Sequence, residues 1–359
     1  MRASPSAVAV ALALTFATTR AHAVPLGDES DPTVIDVHAF LGQGFLLTKD
    51  NNYINSNSSQ GSVAVSEVGI NFTKPITDRL RFGVQLFAQD FGTSNTYVPT
   101  VDWAYGDYRF ADWLGLRVGR VKIPFGLYNE VNDIDSARTF VLLPQGMYPL
   151  SYRQYLFAQT GAELYGYLRM GDAGALDYHV YGGTLAFNPT NAPGSPYTIT
   201  NETVPFVFGG RLMWETPVDG LRLGGSVQTL RADTQISVAS KIINTELPAT
   251  FTVASIEYAA HDLQLAAEYG RWFAKLDADS PLFPSIPLLK TDRFYALASY
   301  RFNRWFQPGI YYSVFFPNTD VWSGAANHQH DFAIATRFDV NSHWLFKLEG
   351  HYMVGTGGL

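Results

Sequence analysis

Along most of the chain, apolar and polar residues alternate with a period of two. Leu80, Phe82, Val84, Leu86 and Ala88 interleave with Arg81, Gly83, Gln85 and Gln89. Leu221, Leu223 and Val227 alternate with Arg222, Gly224, Ser226 and Gln228, and Leu263, Leu265, Ala267 and Tyr269 with Gln264 and Glu268. Near the end, Trp344, Phe346, Leu348 and Tyr352 alternate with Lys347, Glu349 and His351. A period of two puts successive side chains on opposite faces of a strand. These segments therefore predict two-faced strands of about ten residues.

Seven short polar segments punctuate the strands, at 73–78, 110–113, 171–174, 216–220, 260–262, 303–304 and 339–342. Their Asp, Asn, Gly and Pro residues are the chemistry of tight hairpins. The other connections read as long and polar: 48–61, 122–160, 187–205, 229–250, 271–293 and 315–330. Short turns at one end and long loops at the other mark an outer-membrane barrel. Aromatic residues cluster near the short turns (Tyr108, Phe110, Trp113, Trp214, Phe302, Trp305, Phe306, Phe338, Trp344), as in an interfacial girdle where a ring keeps one wet edge. The predicted fold is an all-β, antiparallel, up-and-down transmembrane β-barrel. Lipid cannot hydrogen-bond a free strand edge, so such a sheet must close.

A first strand (Ile35, Val37, Ala39 and Leu41 against Asp36 and His38) and seven hairpins make fifteen strands. Single-chain bacterial barrels use an even number, so a sixteenth strand is expected and is missing from this sequence. The first and fifteenth strands should then run parallel, about 10 Å apart, with a slit between His38 and Glu349.

Residues 1–23 read as an export signal. Arg2 supplies the basic start, Ala7–Phe16 the apolar core, and Ala21-His22-Ala23 the small-x-small cleavage site. The mature barrel domain would span 24–359. Beyond residue 23 no apolar run approaches the roughly 18 residues of a membrane helix. Aromatic content is 14% and charged content 16%, below the roughly 25% charged residues of a soluble domain. There is no cysteine, which excludes disulfide scaffolds and thiolate chemistry. Loss of Arg2 and Arg20 takes the net charge from −7 to −9. With no basic run, nucleic acid is not expected as a partner.

The stretch Gly119-Arg120-Val121-Lys122-Ile123-Pro124-Phe125-Gly126-Leu127-Tyr128-Asn129-Glu130 is distinctive. Together with Trp103-Ala104-Tyr105, Leu116-Arg117-Val118 and Phe346-Lys347-Leu348-Glu349-Gly350-His351-Tyr352-Met353, it resembles Gram-negative outer-membrane porins of the phosphate-selective type. The resemblance implies a sixteen-stranded barrel, usually trimeric, that passes small anions such as phosphate. It also implies a pore lined by arginine and lysine, with the third loop folded into the lumen. The chain departs from that pattern in its acidic net charge and in lacking a final strand with a terminal aromatic.

The longest connection, 122–160, lies between strands five and six and is the third loop. It is apolar in places, and loops of this length are usually functional or disordered. Its charges are Lys122, Arg138 and Arg153 against Glu130, Asp133 and Asp135. Folded into the pore, they would set a transverse field at a constriction; on the surface they would simply be solvated. By the alternation, the lumen-facing cations are Arg81, Arg117, Arg169, Arg211, Arg222, Arg301, Arg337 and Lys347, all near short turns. They would form a basic belt at the periplasmic mouth that attracts anions, or would pair across strands with the inward acids Glu67, Asp102, Glu163, Asp177, Glu257, Glu268 and Glu349.

Catalytic motifs are weak. His328-Gln329-His330 lies in a polar loop without a carboxylate at metal-binding spacing, and no phosphate loop or nucleophile elbow occurs. No enzyme activity, cofactor or metal is expected. The expected partners are outer-membrane lipid, small hydrophilic solutes or ions, and two further copies of the chain. A secreted or periplasmic β-rich enzyme or glycan-binding protein is the alternative; it would bury its apolar face and need no aromatic belt.

Overall fold

A computed structural model describes the backbone of residues 7–16, 24–26, 34–54, 57–92, 97–150, 153–185, 197–238, 241–281 and 283–358. The strands are β1 (Ala7–Phe16), β2 (Val24–Leu26), β3 (Ile35–Thr48), β4 (Ser66–Pro75), β5 (Leu80–Asp90), β6 (Thr100–Ala111), β7 (Leu114–Lys122), β8 (Ala158–Arg169) and β9 (Ala175–Leu185). They continue as β10 (Thr198–Glu215), β11 (Leu221–Val238), β12 (Lys241–Ala260), β13 (Leu263–Ala278), β14 (Ile286–Tyr300), β15 (Phe306–Phe316), β16 (Gln329–Asp339) and β17 (Leu345–Gly355). A four-residue helix, α1 (Arg153–Leu156), stands just before β8.

From β3 to β17 every strand pairs antiparallel with the next, an up-and-down meander of fifteen strands. All seven segments predicted as short turns join the expected neighbours. The alternation also holds: on β17, Leu345, Lys347, Glu349, His351 and Met353 face inward and are buried, while Leu348 and Tyr352 face outward and are exposed. Outward aromatics near the short turns contact one another: Trp305 stacks on Phe338, Phe306 lies tilted against it, and Tyr108 meets Phe110 edge to face.

Two expectations are corrected. The connections 229–250 and 271–293 are mostly strand, because β11 runs to Val238, β12 starts at Lys241, β13 runs to Ala278 and β14 starts at Ile286. Their polar composition belongs to strands that continue past any apolar surroundings, so polarity alone did not mean loop. Similarly, β10 takes Thr198–Glu215 out of the predicted loop 187–205, whose residues 187–196 lie outside the described residues.

The second correction concerns the slit. Strands β3 and β17 do run parallel, one strand apart, but the space between them is filled. Ala7–Phe16 pairs antiparallel with β17 (Ala7↔Met353 to Thr15↔Leu345) and with β3 (Ala9↔Thr48 to Phe16↔Leu41). Val24–Leu26 continues along the same edge of β3. These pairings join both edges of the fifteen-strand row. An apolar run of ten residues has the length of an export-signal core and also of a barrel strand, so its sequence did not distinguish the two. The predicted cleavage site, Ala21-His22-Ala23, lies outside the described residues.

Candidate functional site: a loop across the lumen

The third loop leaves β7 at Lys122 and returns at β8. Gly126 turns it inward with φ +61°, and a Cβ there would lie 2.8 Å from Glu268 Oε1; only glycine fits both the left-handed conformation and the contact. Asn129 then ties the two legs together, its Nδ2 donating to Ile123 O and Leu156 O, each at 2.7 Å.

From this base the loop crosses the barrel. Its apolar side chains Ile123, Phe125, Phe140, Leu143, Met147 and Tyr148 are almost wholly buried. They pack with the inward wall residues Val253, Trp272, Tyr295, Leu297, Tyr311, Ala333 and Ala335 in one cluster. Each large apolar side chain fully buried contributes about 1.5–3 kcal/mol. This burial explains why a 35-residue-scale connection is ordered inside a wet barrel.

The wall also grips the loop's main chain. Cations take its carbonyls: Lys347 Nζ donates to Asp135 O (2.7 Å) and Phe140 O (3.0 Å), Arg337 to Ser136 O (2.6 Å), Arg293 to Gly146 O (2.6 Å) and Arg211 to Gly126 O (3.3 Å). Carboxylates take its N–H groups: Glu349 accepts from Val141 (2.8 Å) and Leu142 (3.0 Å), and Glu268 from Leu127 (2.9 Å). Glu268 also accepts from Tyr148, from Tyr295 (2.8 Å) and from Ser255 (2.5 Å). Buried backbone groups must be paired, and here inward side chains do the pairing. Sequence reading placed Glu268 and Glu349 inward but not as anchors. It placed Ser226 on the inward face too, though not as the acceptor of Gly126 N (2.9 Å), and it did not single out Gln307, which donates to Thr139 (2.8 Å).

The six charged residues predicted for the constriction all form ion pairs inside the barrel. Lys122 pairs with Asp133 (2.6 Å), Arg138 with Asp135 (2.5 Å), Glu130 with Arg211 (2.8 Å) and Arg153 with Asp102 (3.1 Å). Burial pushes the Glu130 carboxyl up, but Arg211, His179 and Arg117 outweigh it and hold it below its ordinary value. Burial likewise raises Asp133 and Asp135, and nearby cations reverse the sign: Lys122 and Arg153 for Asp133, Lys347 and Arg138 for Asp135. Asp133, Asp135, Arg138 and Arg153 share a cavity with Gly42, Gly44, Ser66 and Glu67, between the loop and strands β3 to β5.

Each of the eight inward cations lies beside a carboxylate. Arg81 and Arg117 share Asp107 (2.7 and 3.5 Å), and Arg117 also meets Glu163 (3.0 Å). Arg169 meets Asp112 (3.8 Å), Arg211 meets Asp177 (3.7 Å) as well as Glu130, and Arg222 pairs with Glu257. Arg301 and Arg337 both pair with Asp339 (2.8 Å), and Lys347 lies 3.6 Å from Asp135. The predicted belt cations are thus engaged in ion pairs with carboxylates of the same or neighbouring strands, of turns and of the third loop. His330 donates to or accepts from the Tyr312 hydroxyl at 2.7 Å. Among the described residues no three His, Cys, Asp or Glu side chains converge as a metal set.

No protein-family model and no curated protein matches the sequence. Among solved structures, the outer membrane channel DcaP of Acinetobacter baumannii is similar at 8% identity, with 97% of this chain and 96% of that one covered and a TM-score of 0.51. Outer-membrane expressed OmpT of Vibrio cholerae is similar at 9% identity, with 98% and 99% covered and a TM-score of 0.50. The anion-selective porin of Comamonas acidovorans matches at 12% identity over 98% of both chains, with a TM-score of 0.48. The first two likenesses show the fold alone, an antiparallel up-and-down β-barrel.

Proposed function

We propose that the protein is an outer-membrane diffusion channel for small hydrophilic solutes, anions such as phosphate among them, with the third loop controlling passage by size and charge. The carrying observation is the loop's path. It bonds to inward residues of β5, β6, β10, β11 and β13 to β17. We assign the passage to the cavity between the loop and strands β3 to β5, lined by Glu67, Asp133, Asp135, Arg138 and Arg153. Charges of both signs at a narrow place set a transverse field. The paired belt cations present guanidinium edges and carboxylates together, so charge preference rests on which partner a passing ion displaces. Residues 1–23 direct export, and three copies assemble as a homotrimer; the trimer is what the resemblance to phosphate-selective porins implies.

Planar-bilayer recording tests this reading. Deletion of 131–150 is expected to raise single-channel conductance, and reversal potentials under a phosphate gradient are expected to report anion passage. Unchanged conductance after the deletion would place the loop outside the conducting path.

A further inference from the structure

On β11 to β14 the outward face changes chemistry at one level. Toward the short turns it is apolar: Val227 on β11, Ile256 on β12, Leu265 on β13 and Tyr300 on β14 are all exposed. Moving away from the turns, Tyr269 and Phe294 stand opposite each other. Directly beyond them Arg271 faces Asp292 and bonds to it twice at 2.6 Å. The next outward row carries Phe273 opposite Lys290, and above it stand Arg231 on β11 and Lys275 on β13. Strands β11 to β14 are 15 to 20 residues long, whereas about 9–11 suffice to span. Counted from the short turns, the cation rows therefore lie at and beyond the far edge of the hydrocarbon layer.

Two of the cations, Arg231 and Lys275, are arranged in one sense. Arg231 pairs with Asp233 at 2.9 Å and Lys275 with Asp277 at 2.7 Å. In both pairs the carboxylate is two residues farther from the membrane on the same strand. Asp233, Glu246 and Asp277 occupy one register row across β11, β12 and β13. On β11 and β13 the Arg231 and Lys275 row thus lies nearer the lipid than the Asp233, Glu246 and Asp277 row, while in the lowest charged row Arg271 is already paired with Asp292. The Arg231, Arg271 and Lys275 side chains are 40%, 42% and 48% exposed. Exposed ion pairs contribute little unless their geometry is bidentate. Arg271 and Arg231 each meet their carboxylate through two nitrogens, so an incoming phosphate competes with Asp292 and Asp233 for them, while Lys275 and Lys290 are the more open cations. An anion arriving from the membrane side meets the Arg271–Asp292 pair first, then Lys290, and then Arg231 and Lys275 before the upper carboxylate row.

We infer that this band binds the phosphorylated headgroup of an outer-leaflet glycolipid, with Arg231, Arg271, Lys275 and Lys290 taking its phosphates and the apolar wall below taking its acyl chains. Guanidinium and ammonium groups form charge-assisted bonds to phosphate, and basic clusters at a membrane surface select anionic headgroups. The inference rests on the outer-membrane reading but not on conduction.

The test titrates detergent-purified full-length protein with bisphosphorylated lipid A, with its dephosphorylated form and with inorganic phosphate, reading binding by native mass spectrometry. The variant Arg231→Gln/Arg271→Gln/Lys275→Gln/Lys290→Gln is expected to bind bisphosphorylated lipid A at least tenfold more weakly. Its unheated electrophoretic mobility, which reports the folded barrel, and its conductance should match the parent's. Arg222→Gln, at the opposite mouth, should bind as the parent does. Equal lipid A binding by parent and quadruple variant would overturn the inference. So would equal binding of the dephosphorylated lipid, which would leave only acyl contacts, or competition by millimolar inorganic phosphate, which would make this a free-anion site. Loss of conduction with lipid binding intact would count against the channel reading alone.

Discussion

Lys347 and Glu349 hold a single peptide group between them. Lys347 Nζ donates to the carbonyl of Phe140 at 3.0 Å, and Glu349 Oε2 accepts from the N–H of Val141, the other end of the same peptide bond, at 2.8 Å. The two residues are neighbours on the inward face of β17, and both are almost fully buried. Removing one partner of a buried charged contact costs roughly 3–5 kcal/mol, because the other is left uncompensated. Lys347→Met and Glu349→Gln are therefore expected to loosen the loop around residues 135–142. Single-channel conductance should rise or flicker in both, and proteolysis within 131–150 should accelerate. Conductance and cleavage indistinguishable from the parent's would show that the clasp does not hold the loop.

The loop's carboxylates predict the acid limb. Glu130, Asp133 and Asp135 are held below their ordinary values by neighbouring cations. A group with a depressed folded value contributes docking energy that is complete above its unfolded value, about 4. That contribution is lost as pH falls through the lower folded value. Docking should thus be constant from neutral pH down to about 4 and weaken below it. Conductance recorded from pH 7 to 3 should stay flat and then change only in the acid limb. A transition near neutrality would assign control to other groups.

Leu265 and Leu348 are exposed on the apolar outer face of β13 and β17. Leu348→Arg should cost about 2–4 kcal/mol, the value for the bilayer midplane, and Leu265→Arg, closer to a short turn, less. Arg222→Gln, an inward change at the mouth, should cost far less. Urea unfolding in lipid vesicles measures the difference. Equal costs on the two faces would contradict the inside–outside assignment.

Much of this architecture could be read from alternation and turn chemistry. Leu80–Ala88 and Trp344–Tyr352 each have one apolar face, and the seven turns stand where Asp, Asn, Gly and Pro cluster. The third loop was legible from its length and position. Its partners were not, because each contact joins residues far apart in sequence: Glu268 to Leu127 and Tyr148, Gln307 to Thr139. An inward glutamate on a strand looks the same whether it faces water or a loop backbone. Polar strand ends such as Arg231–Val238 and Lys241–Thr250 were read as loop because the alternation rule assumes lipid on one face. In these stretches the outward face carries Arg231, Asp233 and Glu246, so the apolar outer row on which the rule depends is lost.

The position between β3 and β17 gives the last prediction. Ala7–Phe16 supplies the backbone partners of both strands, and each unpaired backbone group facing hydrocarbon costs several kcal/mol. If residues 1–23 are removed on export, β3 and β17 lose those partners over most of their length. Residues 24–359 refolded alone are then expected to form little of the fast-migrating, heat-modifiable barrel. Adding a synthetic peptide of residues 1–23 during refolding should restore it, and the same peptide with Val10→Pro should not, because proline cannot donate to the ladder. Efficient refolding of 24–359 without any peptide would show that the two edges find another solution. Equal rescue by the proline peptide would show that strand pairing is not how the segment acts.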